Sequence, residues 1–402
     1  MQNALANSPD HTATLERCAV LRLGLTDFRS YAQLRLDVDA RPVVLTGANG
    51  AGKTNLLEAI SFLVPGRGLR RARMPDVTRT DARPNIVPGA LRWAVASSLG
   101  TAGGTVKIGT GFEMLGVDEG GGRRVVRING TRVRSQAVLG EVLAAVWLVP
   151  EMDRLFMDSA GVRRRFLDRL TAAFDSAHTT RLSDYKRAMR ERTRLLREDR
   201  AGFRNVDMAW ISVLEQRMAE SGVALAAARR DFVKKLRAAF ELVVTPFPSV
   251  GITLIGDVEN WLDQGAALET EDKFRTLLME SRSADREAGR ALIGPHLSDI
   301  DVVHLSKNRR AAECSTGEQK ALLISIVLAH ARLVSLNRGV TPLILMDEIV
   351  AHLDASRRVA LFDEICAVGA QAWLTGTDKA LFDDLGDRAQ YFCVENAHVH
   401  IV

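Results

Sequence analysis

Pro42-Val-Val-Leu-Thr46 followed by Gly47-Ala-Asn-Gly-Ala-Gly-Lys53-Thr54-Asn55 decides the fold of this chain. An apolar run of strand length breaks into a glycine-rich loop, and the loop opens an apolar segment from Asn55 to Leu63 that reads as a helix. Strand, loop and helix in that order, with the full G-x-x-x-x-G-K-[ST] spacing, form a phosphate-binding P-loop. Its backbone N–H groups (Gly47, Ala48, Asn49, Gly50, Ala51, Gly52) can turn inward on phosphate oxygens, and the helix N-terminus adds a favourable dipole. Lys53 then reaches the β/γ-phosphates, Thr54 is the expected Mg²⁺ ligand, and Asn55 closes the motif.

Composition narrows the setting. The chain has 402 residues, 47% hydrophobic and 26% charged, which suits a globular protein with a large core. A net charge of +5 is compatible with an anionic partner without requiring one. Cys18, Cys314, Cys366 and Cys393 lack C-x-x-C spacing, so neither zinc nor a disulfide framework is indicated. Residues 1–16 carry no basic n-region or apolar h-region, and no uninterrupted apolar run approaches the ~18 residues of a membrane span. The expectation is a cytoplasmic protein with a disordered tail over 1–16.

Outward from the P-loop, Val20–Leu25 and Leu34–Val38 alternate as half-buried strands do. Downstream, Gly66-Arg-Gly-Leu-Arg-Arg-Ala-Arg73 places four arginines in one loop, readable as solvated or as contacts to phosphate. β-type runs follow at Leu91–Ser97, Thr105–Glu113 and Arg124–Asn129, the last two separated by a turn at Asp118-Glu-Gly-Gly-Gly122. From Pro150 the pattern becomes helical. Val162–Phe174, Thr179–Glu198 and Val206–Val243 are predicted helices, the third carrying an apolar seam from Ile211 to Val243 at three- and four-residue steps. A bend at Asp199-Arg-Ala-Gly202 makes the second and third an antiparallel arm. Arg163, Arg164, Arg165, Arg169, Arg181, Arg187, Arg190, Arg192, Arg194 and Arg197 predict a dense basic face, either a solvated surface or a track for a DNA backbone. The last third returns to α/β patterning, with strands at Asp299–Leu305, Thr341–Met346 and Gln371–Thr375 and helices at Gly317–Leu336 and Arg357–Ala367. The expected organisation is 17–150 as the N-terminal part of an ATPase lobe, 151–290 as a helical lobe with the arm, and 291–402 as the C-terminal part of the ATPase lobe.

Two further motifs carry chemistry. Leu343-Ile-Leu-Met-Asp347-Glu348 is an apolar strand ending in two carboxylates, a Walker B pattern in which Asp347 is the metal ligand and Glu348 the general base. Ser315-Thr316-Gly317-Glu318-Gln319 opens a helix with a capping box, and the free N–H groups of that helix start form a second phosphate site. Followed by the apolar helix, Walker B and Ala351-His-Leu-Asp354, this order resembles the signature motif and D-loop of the ABC-type ATPases. The opening Thr26-Asp-Phe-Arg-Ser-Tyr31, Gly66-Arg-Gly68, Arg127-Ile-Asn-Gly130, Val149-Pro-Glu151, Arg163-Arg-Arg-Phe-Leu-Asp168, Gly294-Pro-His296 and Asp299 narrow the resemblance to the RecF family, over residues 18 to 400.

The resemblance implies an α/β ABC-type P-loop ATPase head with a helical second lobe and a short antiparallel helical arm. It implies binding of ATP and Mg²⁺, slow hydrolysis assisted by Lys53 and Glu348, and an ATP-dependent homodimer. In that dimer Ser315 and Gly317 cap the partner's γ-phosphate and Asp354 shapes the interface. The expected partners are double-stranded DNA near single-strand gaps, RecR, and RecO and RecA in the same pathway, in recombinational gap repair and replication restart, with no membrane. Three departures stand out: Val149-Pro150 falls where related ATPases carry a Q-loop glutamine, Leu297 where the family commonly has Arg, and Thr375-Gly-Thr377-Asp378 where a switch histidine would stand. Two other classes compete. A transporter subunit would place its signature near residue 150, and an SMC-like tether or nuclease partner would carry arms of hundreds of residues.

Overall fold

The computed structural model describes residues 17–79, 90–115, 122–200, 207–241 and 245–402. The predicted tail over 1–16, most of the turn at 118–122 and part of the bend at 199–202 lie outside those residues.

Two six-stranded sheets carry the ATPase head. The P-loop strand Val43–Thr46 sits inside a sheet whose order is His398–Ile401, Gln390–Glu395, Val43–Thr46, Ala372–Thr375, Leu343–Met346 and Ala145–Leu148. All pairings are parallel except the hairpin formed by the last two strands of the chain. The other sheet is antiparallel, in the order Tyr31–Asp37, Ala19–Phe28, Leu91–Thr101, Gly104–Met114, Gly122–Ile128 and Thr131–Val133. Strands buried on both faces need apolar side chains at every position, and Val43–Thr46, Leu343–Met346, Ala372–Thr375 and Ala145–Leu148 are each buried throughout.

The side-chain period of two splits the head into two cores. Val43, Leu45, Leu343, Leu345, Ala145, Trp147 and Trp373 face the antiparallel sheet, with the P-loop helix Lys53–Ser61 filling the gap through Leu56, Leu57, Ala59 and Ile60. Val44, Ile344, Met346, Val146, Leu148, Ala372 and Leu374 face the opposite way, onto helices Thr316–Arg338 and Ala355–Val368. The Gln371 amide locks the two sheets together by accepting from Val20 N–H and donating to Val20 C=O, both at 2.9 Å. Thr316–Arg338 is the one helix among the described residues long and apolar enough to cross a membrane, and nearly all of its apolar stretch is packed inside this core.

The helical lobe follows Pro150. Ala160–Phe174 leads into the antiparallel pair His178–Arg200 and Met208–Glu241, of 23 and 34 residues, roughly 35 and 50 Å long. The predicted seam is real: Ile211, Leu214, Met218, Leu225, Phe232 and Leu236 are all buried. Helices Asp257–Gln264, Ala267–Glu280 and Arg282–Ala288 pack against the pair, so the arm is braced for much of its length. A three-stranded sheet, Arg309–Arg310, Asp299–His304 and Val250–Ile255, joins this lobe to the segment before Ser315.

The predicted basic face is corrected by the fold. Arg192 is fully buried, donating to Glu215 at 2.9 Å, Asp285 at 2.6 Å and the Leu278 carbonyl at 2.6 Å. Arg163 binds Asp299, Arg181 binds Asp175, and Arg169 lies 4.4 Å from the centroid of the Trp147 ring. The exposed stripe on the first arm helix reduces to Arg187, Arg190, Arg194 and Arg197, which recur at three- and four-residue steps. A second buried knot joins Arg229 to Asp168 at 2.8 Å, with His178 also on Asp168 at 3.0 Å.

Two outcomes test this lobe. Arg192→Ala leaves Asp285 buried without its cation and Glu215 with Arg282 alone, and is expected to cost about 3–5 kcal/mol in chemical denaturation, whereas Arg187→Ala, on an exposed pair, leaves the midpoint unchanged. Burial also pushes the His330 imidazole, hydrogen-bonded to the Leu170 carbonyl at 2.9 Å, down from 6.5 to about 4. The unfolded chain therefore takes up the proton first as pH falls, so this group makes stability rise with pH across that window. His330→Gln is expected to flatten the rise by at most about 1.4 kcal/mol per pH unit, read from denaturation midpoints between those values.

Candidate active site

The P-loop adopts the conformation its glycines permit. Gly47, Gly50 and Gly52 have φ of 139°, 82° and 116°, and a Cβ on Gly47 would meet the Val394 carbonyl oxygen at 2.2 Å. Gly52 is the N-cap of Lys53–Ser61 and offers no side-chain cap, so the Lys53 and Thr54 N–H groups stay open to a phosphate while Asn55 N–H donates to the Gly52 carbonyl at 3.0 Å. Lys53 Nζ donates to the carbonyls of Gly47 at 2.7 Å and Ala48 at 2.9 Å. Its burial lowers the ammonium pKa, against the opposing pull of Glu348 and Asp347. Asn55 donates to Ser30 Oγ and accepts from Arg70, each at 2.9 Å. Arg70 is thus the member of the four-arginine loop that turns toward the site, and its charge also reaches Asp347.

The fold brings Asp347 to Thr54 across 293 residues, the Thr54 hydroxyl lying 3.0 and 2.9 Å from the two carboxylate oxygens. Burial, reinforced by Glu348, pushes the Asp347 carboxyl above its ordinary range despite donors from Thr375 and Thr54. One hydroxyl and one carboxylate at the mouth of a P-loop suit a hard cation such as Mg²⁺, which binds through few protein oxygens and completes its shell with phosphate and water.

Thr375 is the residue whose part was not legible beforehand. Fully buried at the end of the neighbouring strand, its hydroxyl donates to Asp347 Oδ1 at 2.7 Å and accepts from the Glu348 N–H at 2.9 Å. Glu348 has φ of 53°, a left-handed conformation uncommon for a side-chain-bearing residue, and the Thr375 bond holds its backbone there. The clue in sequence was the absence of a histidine at the end of that strand.

Ser315 caps Thr316–Arg338 in a reciprocal capping box: Ser315 N–H donates to Glu318 Oε2 at 2.8 Å, and Glu318 N–H donates to Ser315 Oγ at 3.4 Å. Lys307 binds the same Glu318, and these donors pull its carboxyl down to about 2. Gln319 is buried and donates to the Cys314 carbonyl at 2.9 Å, so it is a structural residue of the turn. Ser315, Thr316 and Gly317 are exposed, and a Cβ on Gly317 would meet nothing within 4 Å. No hydrogen bond or ion pair joins them to residues 47–55 among the described residues, and their helix packs on the opposite face of the parallel sheet from the P-loop helix. Asp354 caps Ala355–Val368 by accepting from Arg357 N–H at 2.9 Å. His296 is held by the Tyr185 hydroxyl at 2.7 Å and the Ala291 carbonyl at 3.0 Å, and Leu297 beside it is exposed.

A P-loop between an antiparallel and a parallel sheet, a Walker B pair beside it, a capped signature helix behind the sheet and an inserted helical lobe define an ABC-type ATPase head. A family model described as the RecF/RecN/SMC N terminal domain matches residues 19–399. The DNA replication and repair protein RecF of Allorhizobium ampelinum is 48% identical over 388 residues, covering 96% of this chain and 100% of that protein. The protein of the same name from Rhizobium meliloti is 48% identical over 94% of this chain and 97% of its own length. The chain belongs to the RecF family. Among solved structures, the recombination mediator protein RecF with ATP superposes with a TM-score of 0.80 at 20% identity, covering 98% of this chain and 99% of that one. A Pyrococcus furiosus Smc head domain gives 0.51 at 18% identity over 96% of each chain.

Removing the Thr375 hydroxyl while keeping its shape leaves Asp347 Oδ1 with Thr54 alone and the Glu348 N–H without its acceptor. Thr375→Val is expected to slow ATP hydrolysis about 10–100-fold and raise the Mg²⁺ concentration it requires, with Thr375→Ser restoring both. Steady-state hydrolysis against Mg²⁺ at saturating ATP reads this, and an unchanged Mg²⁺ dependence would remove Thr375 from the machinery.

Proposed function

We propose that this chain is a slow ATPase whose ATP-bound homodimer clamps double-stranded DNA near single-strand gaps in recombinational repair and replication restart. The observation that carries the reading is the exposed start of Thr316–Arg338, Ser315 to Gly317, which among the described residues makes no hydrogen bond to the P-loop of its own chain and lies behind the sheet from it. A helix start with open N–H groups is an anion site. A second copy can present it to a nucleotide that its own chain does not reach.

In this reading the N–H groups of Gly47 to Thr54 cradle the triphosphate of ATP, and Lys53 leaves the Gly47 and Ala48 carbonyls for the β/γ-phosphates. Thr54 and Asp347 hold Mg²⁺, which when bound neutralises charge on the phosphate oxygens. Glu348 accepts the proton of the attacking water, and Thr375 holds the backbone that aims it. Ser315 and Gly317 of the second copy donate to the γ-phosphate, and Asp354 fixes the adjoining turn. Hydrolysis removes the bridging phosphate, so the dimer opens and releases DNA. The solved RecF–ATP neighbour is described as belonging to the RecFOR pathway, which supports RecR and RecO as partners; RecA enters with the family resemblance. An SMC-like tether is disfavoured because the arm helices have 23 and 34 residues.

Binding of labelled duplex DNA in ATP or ADP, with light scattering for mass, tests the reading in the wild type and Glu348→Gln. ATP is expected to raise dimer fraction and DNA affinity together, Glu348→Gln to hold both high, and added salt to weaken binding steeply as counterions compete for phosphates. Dimerisation by ATP with flat DNA affinity would sink the clamp while leaving the ATPase head intact.

A further inference from the structure

A second cavity, of about 620 Å³, opens between the loop after the P-loop helix and the helical lobe. It runs along the edge strand Ala145–Leu148, lined from Leu143 and Ala145 through Trp147 to Val149. Cations converge on it from three separate elements: Arg67 and Arg71 from the loop, Arg165 from helix Ala160–Phe174, and Lys186 from helix His178–Arg200. None of the four has a carboxylate within ion-pair distance among the described residues. Asp168 in the wall is already ion-paired with Arg229 and hydrogen-bonded to His178, leaving Glu151 and Asp158 as the acids that oppose the cluster.

The wall is a stack in which the Arg169 guanidinium lies 4.4 Å from the Trp147 centroid and 5.3 Å from that of Phe166. Trp147 Nε1 and Arg169 Nε are buried donors without an acceptor. Partial burial, and then the neighbouring Arg165 and Arg67, hold the Arg71 guanidinium below its usual range. Arg169 is lowered too, by burial and then by Arg71. Cations that repel one another around an apolar concavity are stabilised by an incoming polyanion. The volume exceeds what one phosphate needs and is that of a nucleotide-sized molecule, with aromatic and aliphatic wall for a planar ring.

We propose that this inter-lobe cavity binds a nucleoside polyphosphate at a site separate from the P-loop, its phosphates held by Arg67, Arg71, Arg165 and Lys186 and its ring against the Trp147 and Phe166 side of the wall. Because the cavity joins the P-loop lobe to the helical lobe, occupancy couples to the angle between them, and ATP binding at the P-loop changes the affinity of the second site reciprocally.

Equilibrium binding of a labelled, non-hydrolysable ATP analogue to the full chain tests this. The wild type is expected to bind two analogues per chain in two phases. Lys53→Ala loses the tighter phase and keeps the weaker; the double variant Arg71→Glu/Arg165→Glu keeps the tighter and weakens the other by about 100-fold or more. Inorganic tripolyphosphate competes with the weaker phase. Unchanged thermal melting of the double variant confirms that its fold is intact. One analogue per chain, or a weaker phase indifferent to the double reversal, overturns the site. A wild type that binds one analogue while the double variant loses duplex DNA assigns these cations to DNA, and the proposal also falls. Loss of the Lys53-dependent phase alone would instead strike the P-loop reading.

Discussion

The contact between Asp347 and Thr54 is the constraint on which the rest depends. It joins two residues 293 positions apart and exists only because the P-loop strand is flanked on both edges by strands from the last part of the chain. A parallel sheet demands this arrangement, since neighbours running the same way cannot be joined by a tight turn. The long connection that results is where the antiparallel sheet and helical lobe are inserted. Asp347, Glu348 and Lys53 are thus brought to one end of the sheet, and Thr375 from the intervening strand holds the Asp347 carboxylate and the Glu348 backbone.

The parity of that sheet then separates the site's two halves. Odd positions of Val43–Thr46 and Leu343–Met346 face the P-loop helix and even positions face the signature helix. Each helix is committed to its side by burial of apolar side chains worth about 1.5–3 kcal/mol apiece. No side-chain rotation carries Ser315 round to the phosphates bound by its own chain. This separation, and not any interface contact, is what the proposed two-copy closure rests on.

What could be read in advance divides along a physical line. The P-loop, the Walker B strand and the signature cap are contiguous stretches whose residue types are dictated by local chemistry, and these stand where the motifs placed them. The edge strand Ala145–Leu148, the strand Val250–Ile255 and the terminal hairpin were missed because runs of four to six residues carry too little periodicity to be told from a helix core or loop. The basic face was over-read for a different reason. Helical spacing tells which arginines share a side, but whether each is solvated depends on acids elsewhere, such as Glu215 and Asp285 for Arg192, 23 and 93 residues away. Thr375 was invisible as a positioning group because a threonine ending a strand is unremarkable until its hydroxyl is seen between two carboxylate-bearing residues.

The strand order also bears on how the molecule is made. Thr46 of the P-loop strand bonds to Phe392, 346 residues later. At ribosomal speeds of about 5–20 residues per second, that interval is roughly 20 to 70 seconds. For most of it the buried P-loop strand waits with both edges unpaired, while the antiparallel sheet beside it has all its pairing partners already made. The nascent chain is therefore a half-built head with an open β-edge, the form in which such a protein is most exposed to aggregation and most dependent on chaperone protection.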